Sequence, residues 1–98
     1  MQNTVALKNA ILQAAVNLSK QKGFMRVFRV EIAKAAGCVE GTVSYHFGTM
    51  RDMRAAIMAH AIEHEVLEVV AQGLAIDYLP TRKAPEALKR KAARILAA

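Results

Sequence analysis

Residues 40–47, EGTVSYHF, gather hydrogen-bonding side chains onto one short segment. Thr42 and Ser44 can donate or accept, and their carbon groups can meet a thymine methyl. The Tyr45 hydroxyl and the His46 imidazole suit phosphate oxygens, contacts that position a protein on a duplex without encoding sequence. Val39 and Glu40 stand at the entry to the segment. Gly41 allows the backbone to come close, and N–H groups at a helix start attract phosphate. Glu40 is the awkward member beside phosphates. It either accepts from a cytosine amino group or is a solvated acid at a helix start, and the second is the simpler reading. Arg26 and Arg29 upstream are the stronger phosphate ligands. Lys8, Lys34, Arg51 and Arg54 are weaker, since a charge on a helix surface is ordinarily just solvated. Arg51, close behind the segment, joins the candidate surface.

A second constellation is His60-Ala61-Ile62-Glu63-His64, which matches the H-x-x-E-H spacing of some zinc peptidases. Two histidines four apart do share a helix face. A third ligand and a cleft have no convincing place, so neither an enzyme nor a metal site is expected. The plainer reading is two polar residues on an acidic helix. Cys38 is the only cysteine, which rules out an intrachain disulfide and a cysteine-rich metal centre. It reads as a small buried hydrophobe at a turn. No Ser/His/Asp arrangement or glycine-rich phosphate loop is present, and no cofactor is implied.

The elements that must carry residues 40–47 can be read from 31–47, EIAKAAGCVEGTVSYHF. Ile32, Ala33 and Ala36 fall on one face of a first short helix. Gly37 supplies the reversal, because glycine enters positive φ without steric cost. Val43 and Phe47, four apart, pack a second helix back onto the first. Small Ala33 lets the two approach closely. This is the logic of a helix-turn-helix, whose second helix enters the DNA major groove.

Around this pair, residues 4–22 predict a helix with Thr4 as N-cap and Gly23 after its end. Residues 23–29 are a connector in which Phe24 and Phe28 plug the core. Thr49 caps the next helix, with Asp52 three places on. From Met50 to about Leu79 the apolar spacing predicts one long helix, weakened at Gly73 and stopped by Pro80. Pro85 suits the first turn of a final helix whose stripe is Leu88, Ala92, Ile95 and Leu96.

The chain has 98 residues, of which 54% are hydrophobic and 5% aromatic, a composition that favours an all-α protein. So much apolar surface on a small chain predicts burial between subunits. The expected interface residues are Ile62, Val66, Val69, Val70, Leu74, Leu88 and Ile95. The net charge is +6 and the pI is near 9.9, which fits a polyanionic partner. Residues 1–54 carry +5, residues 55–79 carry −4 and residues 80–98 carry +5. The basic tail either folds onto the acidic middle, in its own or a partner subunit, or reaches phosphates. The first residues are too polar for a signal peptide, and no apolar run approaches the ~20 residues of a membrane span, so a cytoplasmic protein without membrane contact is expected. Two regions follow: a DNA-binding head over 1–49, and a dimerising part over 50–98.

The order of parts resembles the N-terminal DNA-binding domain of the TetR family of bacterial transcriptional repressors. The matching pieces are ILQAA (11–15), KGF (22–24), EIAKAAG (31–37), GTV (41–43) and YHF (45–47), followed by a helix from Met50. The likeness covers roughly residues 9–64. The departures are specific. Val27 and Phe28 stand where the family commonly has a Thr or Ser cap, Ser44 stands where it commonly has Tyr, and Met50 replaces a frequent phosphate-contacting lysine. Arg29 falls where the family often approaches DNA. The family's large C-terminal domain, which binds inducers, has no counterpart here, so a small-molecule inducer is not expected. The resemblance implies a homodimeric repressor on an inverted-repeat operator. Two alternatives stay open: a small accessory or architectural DNA protein of a plasmid or phage, and a protein-interaction module that has lost DNA binding.

Overall fold

In the computed structural model, which describes residues 4–98, alanine-rich sequence folds into helix, with no strand among those residues. The order is α1 (Thr4–Lys22), a single 3-10 turn (Phe24–Arg26), α2 (Arg29–Ala36), α3 (Glu40–Phe47), α4 (Met50–Glu63), α5 (Leu67–Ala75), α6 (Leu79–Arg82) and α7 (Glu86–Ala97). Thr4 is itself helical, within α1, rather than its cap.

The expectation of one unbroken helix over 50–79 fails at His64–Val66. Glu65 adopts φ 52°, and the Val66 N–H donates back to the Ala61 carbonyl at 2.9 Å. That left-handed residue closes α4 and turns the chain into α5. Asp77, with φ 54°, closes α5 in the same manner, the Tyr78 N–H reaching the Gly73 carbonyl at 2.8 Å. Pro80 therefore lies in the first turn of α6 instead of ending a helix, and Pro85 caps α7 from the preceding position.

Because of these turns, α7 packs against α5. One hydrophobic cluster runs from Ile11 and Val16 through Phe24, Ile32 and Val43 to Ile57, Val70 and Ala92, crossing the 49/50 boundary. Three residues expected at a subunit interface are consumed by this core: Val69 and Val70 are fully buried, and Leu88 is 5% exposed. An amphipathic stripe says that a side chain is covered, not whose chain covers it, and here α7 covers α5. Ile62, Val66 and Leu74 are partly buried on the same core, while Ile95 remains 41% exposed.

Gly73 has a packing reason. A Cβ there would lie 2.2 Å from Thr81 Oγ1 and 2.7 Å from Met58 Cε, so only glycine lets α5, α6 and α4 meet. Gln72, one residue earlier, joins α5 to the head. Its Nε2 donates to the Ser19 carbonyl at 2.9 Å, and its Oε1 accepts from the Phe24 N–H at 2.8 Å. The Phe24 N–H is left over where α1 ends and the chain turns, and the Ser19 carbonyl takes the Gln72 amide in addition to the Gly23 N–H. The basic tail folds back onto its own acidic middle through Lys91 and Glu65, 3.1 Å apart.

Candidate nucleic-acid interface

The start of α2 has no oxygen-bearing cap, since Phe28 occupies that place in extended conformation. Glu31 compensates by accepting the Phe28 N–H at 2.9 Å, and the Lys22 ammonium pairs with its other oxygen. The Lys22 and Phe28 hydrogen bonds hold the Glu31 carboxyl below its ordinary 4.5. Extended backbone sends neighbouring side chains to opposite sides. Val27 takes the inward place and is fully buried, so Phe28 does not plug the core and is 53% exposed. The Arg54 guanidinium lies 5.3 Å from the Phe28 ring centroid and donates to the Val27 carbonyl at 3.4 Å.

The turn between α2 and α3 matches the expected one. Gly37 sits at φ 73°, ψ 35°, with its N–H directed at the Lys34 carbonyl at 3.3 Å. The Cys38 N–H donates to the Ala33 carbonyl at 2.9 Å, completing a Schellman closure. Cys38 is partly buried against the core. Val43 is 1% exposed and anchors α3 from behind, with Phe47 partly buried beside it. The Lys8 ammonium lies 5.5 Å from the Phe47 ring centroid.

Gly48 then turns the chain at φ 77°, ψ −135°, a region closed to side chains. Thr49 caps α4 reciprocally with Asp52: the Asp52 N–H donates to Thr49 Oγ1 at 3.1 Å, and the Thr49 N–H donates to Asp52 Oδ2 at 3.0 Å. Those bonds from Thr49 hold the Asp52 carboxyl below its ordinary 3.8.

With α3 braced on one side, the opposite side faces out. Tyr45 is 82% exposed, Val39 is 70% exposed, and Glu40 and Gly41 are exposed. Thr42, Ser44 and His46 are half-buried on the flanks, with the Tyr45 and His46 rings 5.1 Å apart. Arg26 in the 3-10 turn and Arg51 in the first turn of α4 are exposed. Arg29 is half-buried and differs from them. Its Nη2 donates to the Gly48 carbonyl at 3.3 Å, tying the start of α2 to the α3–α4 turn. Val30, 63% exposed at the start of α2, was not among the sequence candidates. Its signal was its place two residues before buried Ile32, which puts it on the opposite side of α2.

The histidine pair is also together, His60 and His64 lying 4.3 Å apart by ring centroids. Burial, and then the neighbouring His64, lower the pKa of His60 from its ordinary 6.5. Among the described residues no group of three His, Cys, Asp or Glu could hold a metal ion. Open clefts among the described residues include one of about 400 Å³ along Gln13, Asn17 and Gln21 and another of about 240 Å³ between Met25 and Ile76. Neither gathers the paired titratable groups that acid–base or nucleophilic chemistry needs. No described helix is long and apolar enough to cross a membrane.

Residues 11–57, from within α1 to the middle of α4, match the family model described as bacterial regulatory proteins, tetR family. No curated protein and no solved structure matches the chain.

Proposed function

Because residues 11–57 are a tetR-family helix-turn-helix DNA-binding domain, we propose that this transcription regulator is a repressor that binds an inverted-repeat operator as a homodimer in the cytoplasm. The observation that carries the reading is Gly41. It sits inside the first turn of α3, outside the positive-φ region, and a Cβ there would meet nothing within 4 Å. Nothing within the chain requires it, and a helical glycine costs roughly 0.5–1 kcal/mol relative to alanine. Tyr45, one turn along on the same side, is the most exposed large side chain of α3. A glycine that weakens its own helix on an outward face supports a surface made for close approach by something outside.

Gly41→Ala is the test. Thermal unfolding should give a protein more stable by about 0.5–1 kcal/mol, while affinity for duplex DNA falls. A variant that is more stable and binds DNA as tightly as the parent would remove the support. Tyr45→Ala should weaken duplex binding with helicity intact, and binding should fall steeply with salt as phosphate neutralisation releases counterions.

The dimer rests on what the core leaves over. Ile95 and Leu96 are 41% and 50% exposed at the end of α7, and Ile62, Val66 and Leu74 are only partly buried. Pairing through this surface would set two α3 helices about one DNA turn, roughly 34 Å, apart. Sedimentation of Ile95→Asp should give a monomer with reduced affinity for the operator. A parent protein that sediments as a monomer at micromolar concentration would end the dimer proposal. Equal competition by random DNA would favour the architectural alternative over a repressor.

A further inference from the structure

The direct readers on a recognition helix are chiefly its N-terminal residues, which meet base edges in the major groove. Here those are Val39, Glu40 and, half-buried beside them, Thr42. Residues 39–46 contain no Arg, Lys, Asn or Gln. The side chains that pair bidentately with guanine or adenine are therefore missing from α3. The nearest guanidinium on α2, that of Arg29, is held at the Gly48 carbonyl. What α3 offers instead is an isopropyl group, 70% exposed with no packing role, and a carboxylate. Glu40 is exposed and has no ion pair or hydrogen bond from its side chain among the described residues. An unpaired acid at the tip of a basic head is repelled by phosphates unless it finds a donor. In the major groove cytosine N4 is that donor, and the thymine methyl is the partner of an apolar side chain.

We infer that α3 reads pyrimidine edges: Val39 packs on a thymine methyl and Glu40 accepts from a cytosine amino group, with no guanine clamp. This rests on the DNA-binding reading above and adds which bases are contacted. The arginines then position the protein on phosphates and carry no base code.

The test begins with selection of duplexes from a random library by the full chain. Thymines in the enriched site are then replaced one at a time by uracil, which lacks only the methyl. At one position affinity should fall about four-fold, the worth of one buried CH₂ group. Val39→Ala, whose exposure makes it safe for folding, should bind thymine and uracil duplexes alike. Reselection with Glu40→Gln should move one position from cytosine to adenine, by about five-fold or more. Tight binding to sites unaffected by uracil, or with guanine fixed where α3 lies, would overturn this inference and leave DNA binding standing. Failure to bind any duplex at low salt would overturn both.

Discussion

Among the described residues, α2, α4 and α5 close with the same backbone bond, and they differ in the residue at the turn. In each, an N–H reaches a carbonyl five residues back, at 2.9, 2.9 and 2.8 Å. The left-handed residue is Gly37 at φ 73° after α2, Glu65 at φ 52° after α4 and Asp77 at φ 54° after α5. Left-handed backbone costs an ordinary L-residue roughly 1–2 kcal/mol, with Asp more tolerant than Glu because its short side chain bonds locally. The turn that aims α3 is thus relaxed, while the turns that fold α5 and α7 back are strained and held by packing. The difference teaches that the geometry of a helix end is set by what the next element must bury, and that glycine only makes it easy.

The largest effect should come from the packing that holds the strained turns. Gly73→Val pushes a side chain into Thr81 and Met58 and should lower stability by about 3 kcal/mol, measured by urea unfolding. Next, Gly37→Ala should cost about 1–2 kcal/mol, the left-handed penalty alone, since no atom lies within 4 Å of the new methyl. Glu65→Gly should act in the opposite direction. It relieves the same penalty but forfeits an exposed ion pair with Lys91, for a net gain of about 0.5 kcal/mol. Equal losses at residues 37 and 65 on substitution would break the comparison. Acid should sharpen it least. Glu31 has a lowered pKa in the folded chain, so its contribution is complete above its ordinary 4.5 and is lost as pH falls through the lower folded value. Glu31→Gln should flatten that part of the acid unfolding curve.

The helix-turn-helix was legible because its turn is written with Gly37 and its packing with Val43 and Phe47, all local in sequence. The break at Glu65 was not, since a glutamate in left-handed conformation leaves no mark in an apolar pattern that runs on through Val66, Val69 and Val70. The same pattern gave the buried stripe correctly and its owner wrongly, because periodicity is blind to whether α7 or a second subunit supplies the cover. Phe28 read as core for want of any sign that Val27 would take the inward place. On the candidate site, Tyr45 was legible from its place opposite Val43, and Val39 from its place at the entry to α3. The anchoring of Arg29 on Gly48 was not, because a side chain bonding 19 residues away has no local signature.

Gln72 carries a consequence for how much of this chain a DNA reader needs. Both ends of one amide grip the corner between α1 and the turn that launches α2, and the side chain comes from α5, beyond the last family-matched residue. A fragment ending at residue 57 would leave the Phe24 N–H to solvent, strip the Ser19 carbonyl of its second donor and uncover one wall of the core. The reader is therefore not a detachable module: it is a machine head bolted to its own bedplate, and trimming the bedplate loosens the tool.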